Sequence, residues 1–143
     1  MIMGIRVDFV KSESPYDISS LEREEVRKKL RLVIASLKDK STICIARASI
    51  STEIDFIYAC IDEEVPFYIY IPFDNIEKKW PPIIQLAYKA VLKKAKGKLK
   101  TGNGTYSPKK ISKAQSLIDI RSECLVIVGK DNNKILKIEA HIK

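Results

Sequence analysis

The chain has 143 residues, of which 45% are hydrophobic and 31% are charged, and its formal net charge is +8 at pH 7. This length predicts a single domain over residues 1–143, and the composition excludes an intrinsically disordered chain. No apolar segment approaches the length needed to cross a bilayer, so we expect no membrane partner.

The first half of the chain alternates between segments typical of strands and segments typical of helices. A helix is predicted to begin at Ser19, because Glu22 follows three residues later as in a capping box and apolar residues then recur at helical spacing. The segment VPFYIYIPF is apolar throughout, which predicts a strand covered on both faces. The predicted strands span residues 5–10, 42–48 and 65–73, and the predicted helices span residues 19–38 and 52–62.

The second half continues the alternation after a predicted loop, DNIEKKWPP. The segment GKLKTGNGTYSPKK, which begins at residue 97, is rich in Gly, Asn, Ser and Pro and predicts a second loop, long enough to be functional or mobile. The predicted helices span residues 83–96 and 108–118, and the predicted strands span residues 124–130 and 135–143. Strands that alternate with helices favour an α/β fold, a Rossmann-like three-layer sandwich with a mainly parallel sheet.

The positive charge of the chain is concentrated in one region. Eleven lysines and no acidic residue occur between Lys78 and Ile118, whereas the rest of the chain has 15 basic and 18 acidic residues. Such a region attracts phosphate groups, whether on a nucleotide or on a nucleic acid. The alternative is an exposed lysine surface with no ligand, and the scarcity of arginine in this region favours that alternative.

The cysteines and the single histidine give no sign of a metal site or a catalytic nucleophile. Cys44, Cys60 and Cys124 each lie in an apolar segment, and His141 is two residues from the end of the sequence. Isolated cysteines of this kind are typical of buried side chains in a reducing compartment. We therefore predict a cytoplasmic protein with no metal, no cofactor and no catalytic cysteine.

Four polar segments follow the predicted parallel strands, where open α/β sheets bind their ligands. These segments span residues 11–14, 49–52, 72–75 and 129–133. In the second of them, the hydroxyl groups and free amides of Ser49, Ser51 and Thr52 could bind a phosphate group. The alternative is that Ser51 or Thr52 only caps the following helix, and the bulk of Ile50 disfavours a close approach of a ligand.

A longer pattern resembles a known protein group. The segment ARASISTEIDFIYAC, followed by VPFYIYIPF and then by Trp80, resembles the SLOG superfamily over roughly residues 42–133. This Rossmann-like group includes the DNA-processing protein DprA and the LOG nucleotide hydrolases. The resemblance implies that Asp55 anchors the loop before its helix. It also implies that the nucleotide pocket is lined by Ser49, Ser51, Thr52, Gly129 and Asn133.

The sequence departs from that group in ways that argue against hydrolysis. The glycines of the first loop are absent, and so is the P-G-G-x-G-T-x-x-E signature of the LOG hydrolases. We therefore expect a protein that binds a nucleotide or a nucleotide-derived molecule with little or no catalysis, as a sensor or sequestering protein. Members of the group commonly pair, which implies a possible homodimer.

The candidate ligand-binding residues follow from these segments and from the lysine-rich region. They are Lys11, Ser12, Ser49, Ser51, Thr52, Asp55, Tyr106, Gly129, Lys130, Asn132 and Asn133. Lysines between residues 93 and 110 are expected to close over the phosphate groups of the ligand.

Two alternative functions stay open at the level of the sequence. The first is a nucleic-acid-binding module that uses the lysines of residues 78–118, with Tyr106 stacking on bases. The second is an N-glycosidic hydrolase acting on nucleoside monophosphates, for which Asp55 and Asp119 are the candidate carboxylates. Each predicts a different partner, a nucleic acid in the first case and a monophosphate substrate in the second.

Overall fold

The computed structural model describes residues 1–8, 16–133 and 135–143, which form one six-stranded sheet and four α-helices. The strands are β1 (Ile2–Asp8), β2 (Ile43–Arg47), β3 (Phe67–Ile71), β4 (Gly97–Lys100), β5 (Cys124–Lys130) and β6 (Leu136–Ile142). The helices are α1 (Leu21–Leu37), α2 (Thr52–Asp62), α3 (Pro82–Lys94) and α4 (Pro108–Arg121), and a short 3-10 helix spans Ile76–Lys79. The strand order is β4-β3-β2-β1-β5-β6, with β1 to β5 parallel and β6 antiparallel to β5. The predicted mainly parallel α/β sandwich is confirmed.

The order of the strands explains how the helices are divided between the two faces of the sheet. The chain passes from β1 to β4 in one direction, and α1, α2 and α3 all pack into one core on the same face. It then returns past β1 to β5, and α4 covers the opposite face, where Ile118 packs on Ile45 and Tyr70. This reversal is what right-handed crossovers require when the chain changes direction across a parallel sheet.

Serine side chains cap the starts of α1, α2 and α4, although the cap of α1 differs from the prediction. Ser20, not Ser19, caps α1, because its hydroxyl accepts a hydrogen bond from the backbone N–H of Arg23. The Ser19 hydroxyl instead donates to Asp17 Oδ1 at 2.8 Å. The predicted limits of α2, residues 52–62, agree with the structure.

The predicted loop that begins at residue 97 is wrong at its start, because Gly97–Lys100 forms strand β4 beside β3. Lys98, Leu99 and Lys100 are exposed, so this strand has neither the apolar run nor the clear alternation that identifies a strand in a sequence. Its lysines suit a strand at the edge of a sheet, where charge prevents pairing with other chains. The segment DNIEKKWPP before α3 was also predicted as a loop, and in the structure its residues Ile76–Lys79 form the 3-10 helix.

Gly4 lies in β1 at the point where α4 packs most closely on the sheet. A Cβ atom at this position would lie 2.1 Å from Ser122 Oγ and 2.7 Å from Ile118 Cγ2. Ser122 is buried and its hydroxyl donates to the Ile118 carbonyl at 2.6 Å, so it cannot move without losing that bond. We expect Gly4→Ala to lower the free energy of unfolding by about 2 kcal/mol, measured by urea denaturation.

A double variant distinguishes this steric effect from a general weakness of the strand. Combining Gly4→Ala with Ser122→Ala removes the closest clash, so the double variant should lose less stability than the sum of the two single variants. If the single variant Gly4→Ala had the same free energy of unfolding as the wild-type protein, the tight packing of α4 on β1 would be contradicted.

In the part of the chain that the structure describes, no helix combines the length and the apolar character that crossing a bilayer requires.

Candidate functional site

A cleft of about 1050 Å³ opens at the carboxyl ends of β2, β3 and β4. Its walls are the residues that follow β2, the segment from Phe73 to Trp80 that follows β3, and the loop that precedes α4. We call it the aromatic cleft, because Phe73, Trp80 and Tyr106 line it. The direction of the chain across the sheet reverses between β1 and β5, so the cleft lies to one side of that reversal point.

An arginine held by a buried carboxylate lines the cleft. Arg47, the last residue of β2, donates from Nη2 to Glu53 Oε1 at 2.8 Å, and the Glu53 side chain is only 1% exposed. Glu53 is in the first turn of α2, where a negative charge is favoured by the helix dipole. Among the described residues, Arg47 Nε and Glu53 Oε2 find no hydrogen-bond partner. Both of these atoms are buried, so the pair places a guanidinium of fixed position in the wall of the cleft, with its charge partly balanced by Glu53.

Aromatic side chains form two walls of the cleft. Tyr106 is 63% exposed and its ring meets that of Phe73 edge to face, with the ring centroids 5.7 Å apart. Trp80 makes the same kind of contact with Tyr88 of α3 at 5.2 Å. Tyr88 is buried, so it holds Trp80 against α3 and leaves Trp80 to line the cleft. Such rings offer flat apolar surfaces to a planar ligand.

The loop before α4 is attached to the segment that follows β3 through Asp74. Asp74 accepts hydrogen bonds from Lys100 Nζ at 2.7 Å and from the Gly104 backbone N–H at 2.8 Å. These bonds, the one from Lys100 first, lower the pKa of the Asp74 carboxyl. Gly104 has a φ of +73°, a conformation that glycine adopts without strain. Tyr106 is therefore carried by a loop with defined attachments.

The serine-containing turn before α2 contributes to the cleft in part. Of the described residues in this turn, Ser49 and Ile50 line the cleft. The Ser51 hydroxyl accepts from the Thr52 N–H at 2.6 Å, and the Ser49 hydroxyl accepts from the Ser51 N–H at 3.2 Å. Thr52 is buried. Ser51 thus has the capping contact that the sequence offered as the alternative to phosphate binding, and Ile50 is part of the cleft wall.

Asp55 is buried beneath this turn, between α1 and α2. Its carboxylate accepts from Arg23 Nε at 3.0 Å and from Arg27 Nη1 at 3.2 Å. Arg23 also donates from Nη2 to the Ser51 carbonyl at 2.8 Å. Burial raises the pKa of Asp55 to about 6, although both arginines act to lower it. Asp55 thus acts on the turn through Arg23 and does not line the cleft.

The remaining predicted site residues lie elsewhere on the sheet or outside the described part of the chain. Gly129 and Lys130 end β5, and Asn132 and Asn133 form the turn that leads to β6. In the strand order, β1 lies between β2 and β5, the strand that carries this turn, and none of these residues lines the cleft. Lys11 and Ser12 lie outside the described residues. Among the predicted residues, the structure brings Ser49 and Tyr106 together at the aromatic cleft.

Sequence reasoning missed Arg47 and Glu53 as site residues. One signal was available, because Arg47 is a charged residue near the end of an otherwise apolar predicted strand, at the end of the sheet where ligands bind. Arg47 and Glu53 are six residues apart, a separation that fits neither helical nor strand periodicity. The contact between them can therefore be recognised only in the folded junction between β2 and α2.

The described residues offer no group of three or more His, Cys, Asp or Glu side chains that could hold a metal ion. No protein-family model matches the sequence, and no similar protein is found among curated sequences. The resemblance to the SLOG superfamily therefore stays a prediction.

Proposed function

We propose that the aromatic cleft binds a nucleotide or a nucleotide-derived molecule and that the protein acts as a binding protein without strong catalysis. The observation that carries this proposal is the Arg47–Glu53 pair, which fixes a guanidinium at the carboxyl end of a parallel strand, beside the aromatic rings of Phe73, Trp80 and Tyr106. The volume of about 1050 Å³ is ample for a ligand of this size, since small-molecule sites span roughly 300–1000 Å³.

The arrangement of charges and rings suggests how such a ligand would lie. A phosphate group would accept from Arg47, and the ammonium groups of Lys78 and Lys79, both exposed and lining the cleft, would add attraction. The base would pack against Tyr106 or Trp80. Because these groups come from three different loops, the ligand would connect the ends of β2, β3 and β4.

The carboxylates near the cleft support binding rather than hydrolysis. Asp74 is the acidic residue among the described cleft residues, and Lys100 and Gly104 already engage both of its oxygens. Asp55 is buried against two arginines, and Asp119 accepts from Gln115 at 2.9 Å on α4. Neither Asp55 nor Asp119 lines the cleft, so the geometry gives the N-glycosidic hydrolase hypothesis no support.

A nucleotide panel tests the proposal directly. We expect at least one of the mononucleotides, cyclic dinucleotides or ADP-ribose derivatives to raise the melting temperature, because a ligand that binds only the folded state stabilises it. The bound complex should persist at moderate salt, since Arg47 is partly buried and weakly screened. If no member of the panel raises the melting temperature or binds in calorimetry, the proposal fails.

The nucleic-acid alternative keeps one supporting observation. Ten of the eleven lysines between Lys78 and Ile118 are exposed, and several of them surround the β4 edge of the sheet near the exposed Tyr106. Binding of single-stranded DNA or RNA that weakens steeply with salt, together with no effect of free nucleotides, would favour this function over the one proposed.

A further inference from the structure

The two edges of the sheet differ in a way that bears on assembly. In the described part of the chain, β4 and β6 are the outermost strands. β4 has four residues and carries exposed Lys98 and Lys100, which disfavour pairing with another strand. β6 has seven residues and contains no proline. The edge of β6 is thus the one suited to pairing.

The hydrogen-bond pattern identifies which backbone groups of β6 point outward. The N–H of Lys143 donates to the Glu123 carbonyl, and the N–H of Asp131 donates to the Ile135 carbonyl. Antiparallel ladders alternate, so the odd-numbered residues of β6 bond to β5 and the even-numbered residues present their N–H and C=O groups to the outside. The outward-facing residues are Leu136, Ile138, Ala140 and Ile142.

The charges of β6 are complementary to a second copy of the same strand in one register. In an antiparallel pair with Ile138 on the two-fold axis, Lys137 of each copy lies opposite Glu139 of the other. Moving the axis by one residue places either Lys137 or Glu139 against its own copy, and like charges directly opposite each other are destabilising. Lys137 and Glu139 also fall at positions without backbone hydrogen bonds, where the side chains of facing residues are closest.

The apolar side chains of β6 gain cover in the same register. Ile138 and Ala140 are paired with Val128 and Val126 of β5, so the even-numbered residues of β6 share the face covered by α1. Ala140 is nevertheless exposed and Ile142 is 69% exposed, whereas Ile138 is half-buried. In the proposed pair Ile138 packs on its own copy, and Ala140 lies opposite Leu136.

We propose that two copies of this chain pair antiparallel through β6, with Ile138 on the two-fold axis, to form one continuous sheet across the dimer. A two-fold contact of this kind uses the same surface on both copies, as the self-complementary charges require. The occupant of the β6 edge is thus a second copy of the chain and not an unrelated peptide.

Amide hydrogen exchange tests the contact residue by residue. In a dilute sample the N–H groups of Leu136, Ile138 and Ala140 face water and exchange fast, and at high concentration they should become protected. The N–H groups of Lys137, Glu139 and His141 bond to β5, so they should be protected at both concentrations. Fast exchange of Ile138 at every concentration would overturn the proposal.

A charge exchange tests the register. In the Glu139→Lys variant, Lys137 of each copy lies opposite a lysine of the other copy. The dissociation constant of the dimer, measured by analytical ultracentrifugation, should therefore rise roughly ten-fold or more. The double variant Lys137→Glu/Glu139→Lys restores both attractions and should restore the dimer. Lys98→Glu, on the β4 edge, is the matched control and should leave the dimer unchanged. The proposal would be overturned if the wild-type protein were monomeric at all concentrations, or if Glu139→Lys left the dissociation constant of the dimer unchanged.

Discussion

Replacing Arg23 by methionine is expected to lower the free energy of unfolding by about 3–5 kcal/mol at pH 7. The Arg23 and Asp55 side chains are 4% and 2% exposed, so among the described residues the variant leaves this buried carboxylate with Arg27 as its remaining ion-pair partner. It also removes the donor to the Ser51 carbonyl. Methionine is of similar length and apolar, so the loss arises mainly from the missing charge and not from an empty volume. Urea denaturation followed by circular dichroism measures it.

The effect of this variant should depend on pH in a defined direction. The pKa of Asp55 is raised to about 6 in the folded protein, from an ordinary value of 3.8, so the folded state binds this proton more tightly than the unfolded state. The corresponding stability is present below pH 3.8 and is lost as pH rises through about 6. Without Arg23 the pKa of Asp55 rises further. The pH range over which this contribution to stability is lost therefore moves to higher pH. The variant should therefore regain part of its deficit between about pH 7 and pH 5.

Arg31→Met provides the matched control. Arg31 also belongs to α1 and pairs with Asp62 of α2 at 3.2 Å, but the two side chains are 33% and 52% exposed. An exposed pair at a similar distance stabilises the fold by about 1 kcal/mol or less. A loss at Arg23 no larger than the loss at Arg31, or one that is independent of pH, would contradict the role assigned to burial.

Replacing Arg47 by glutamine is expected to weaken the nucleotide binding that we propose for the aromatic cleft about ten- to hundred-fold, since a charge-assisted hydrogen bond contributes roughly 1.5–3 kcal/mol. The variant also leaves Glu53 buried without its cation, so it should lose stability. Isothermal titration calorimetry measures the affinity, and denaturation measures the stability of the same sample.

A second substitution separates the two effects of the Arg47 variant. In Arg47→Gln/Glu53→Gln the buried charge is gone, so the stability should recover while the affinity stays low. Arg121→Gln is the control, because Arg121 donates to Tyr70 Oη on the face covered by α4 and does not line the cleft. Recovery of binding in the double variant would show that Arg47 acts only through the fold.

The elements that the sequence predicted well are those defined by local chemistry. The N-terminal cap and apolar face of α2 are both within residues 51–62, and its limits were predicted correctly. Strand β4 was missed because it is short, exposed and defined only by its pairing with β3. A strand of this kind follows from tertiary contacts and has no periodicity of its own to detect.

The position of the cleft could not be predicted for a related reason. The sequence identified polar segments after several strands, including those at Ser49 and Gly129, but it could not give the order of the strands. The structure places β1 between the strands that carry these two segments, and of the two only the one at Ser49 lines the cleft among the described residues. Tyr106 lies in the cleft because Asp74, thirty positions before Gly104, attaches the loop that carries it. Contacts of this range depend on the whole fold.

The central position of β1 has a consequence for synthesis on the ribosome. β1 is made before the other described strands of this sheet, yet one of its two neighbours is β5, and Met3 pairs with Cys124, 121 positions later in the chain. A nascent chain that ends before β5 has an apolar strand with one side unpaired, and such surfaces are prone to aggregate. Pairing of β1 with both of its neighbours therefore requires that residues 124–130 have left the ribosomal tunnel.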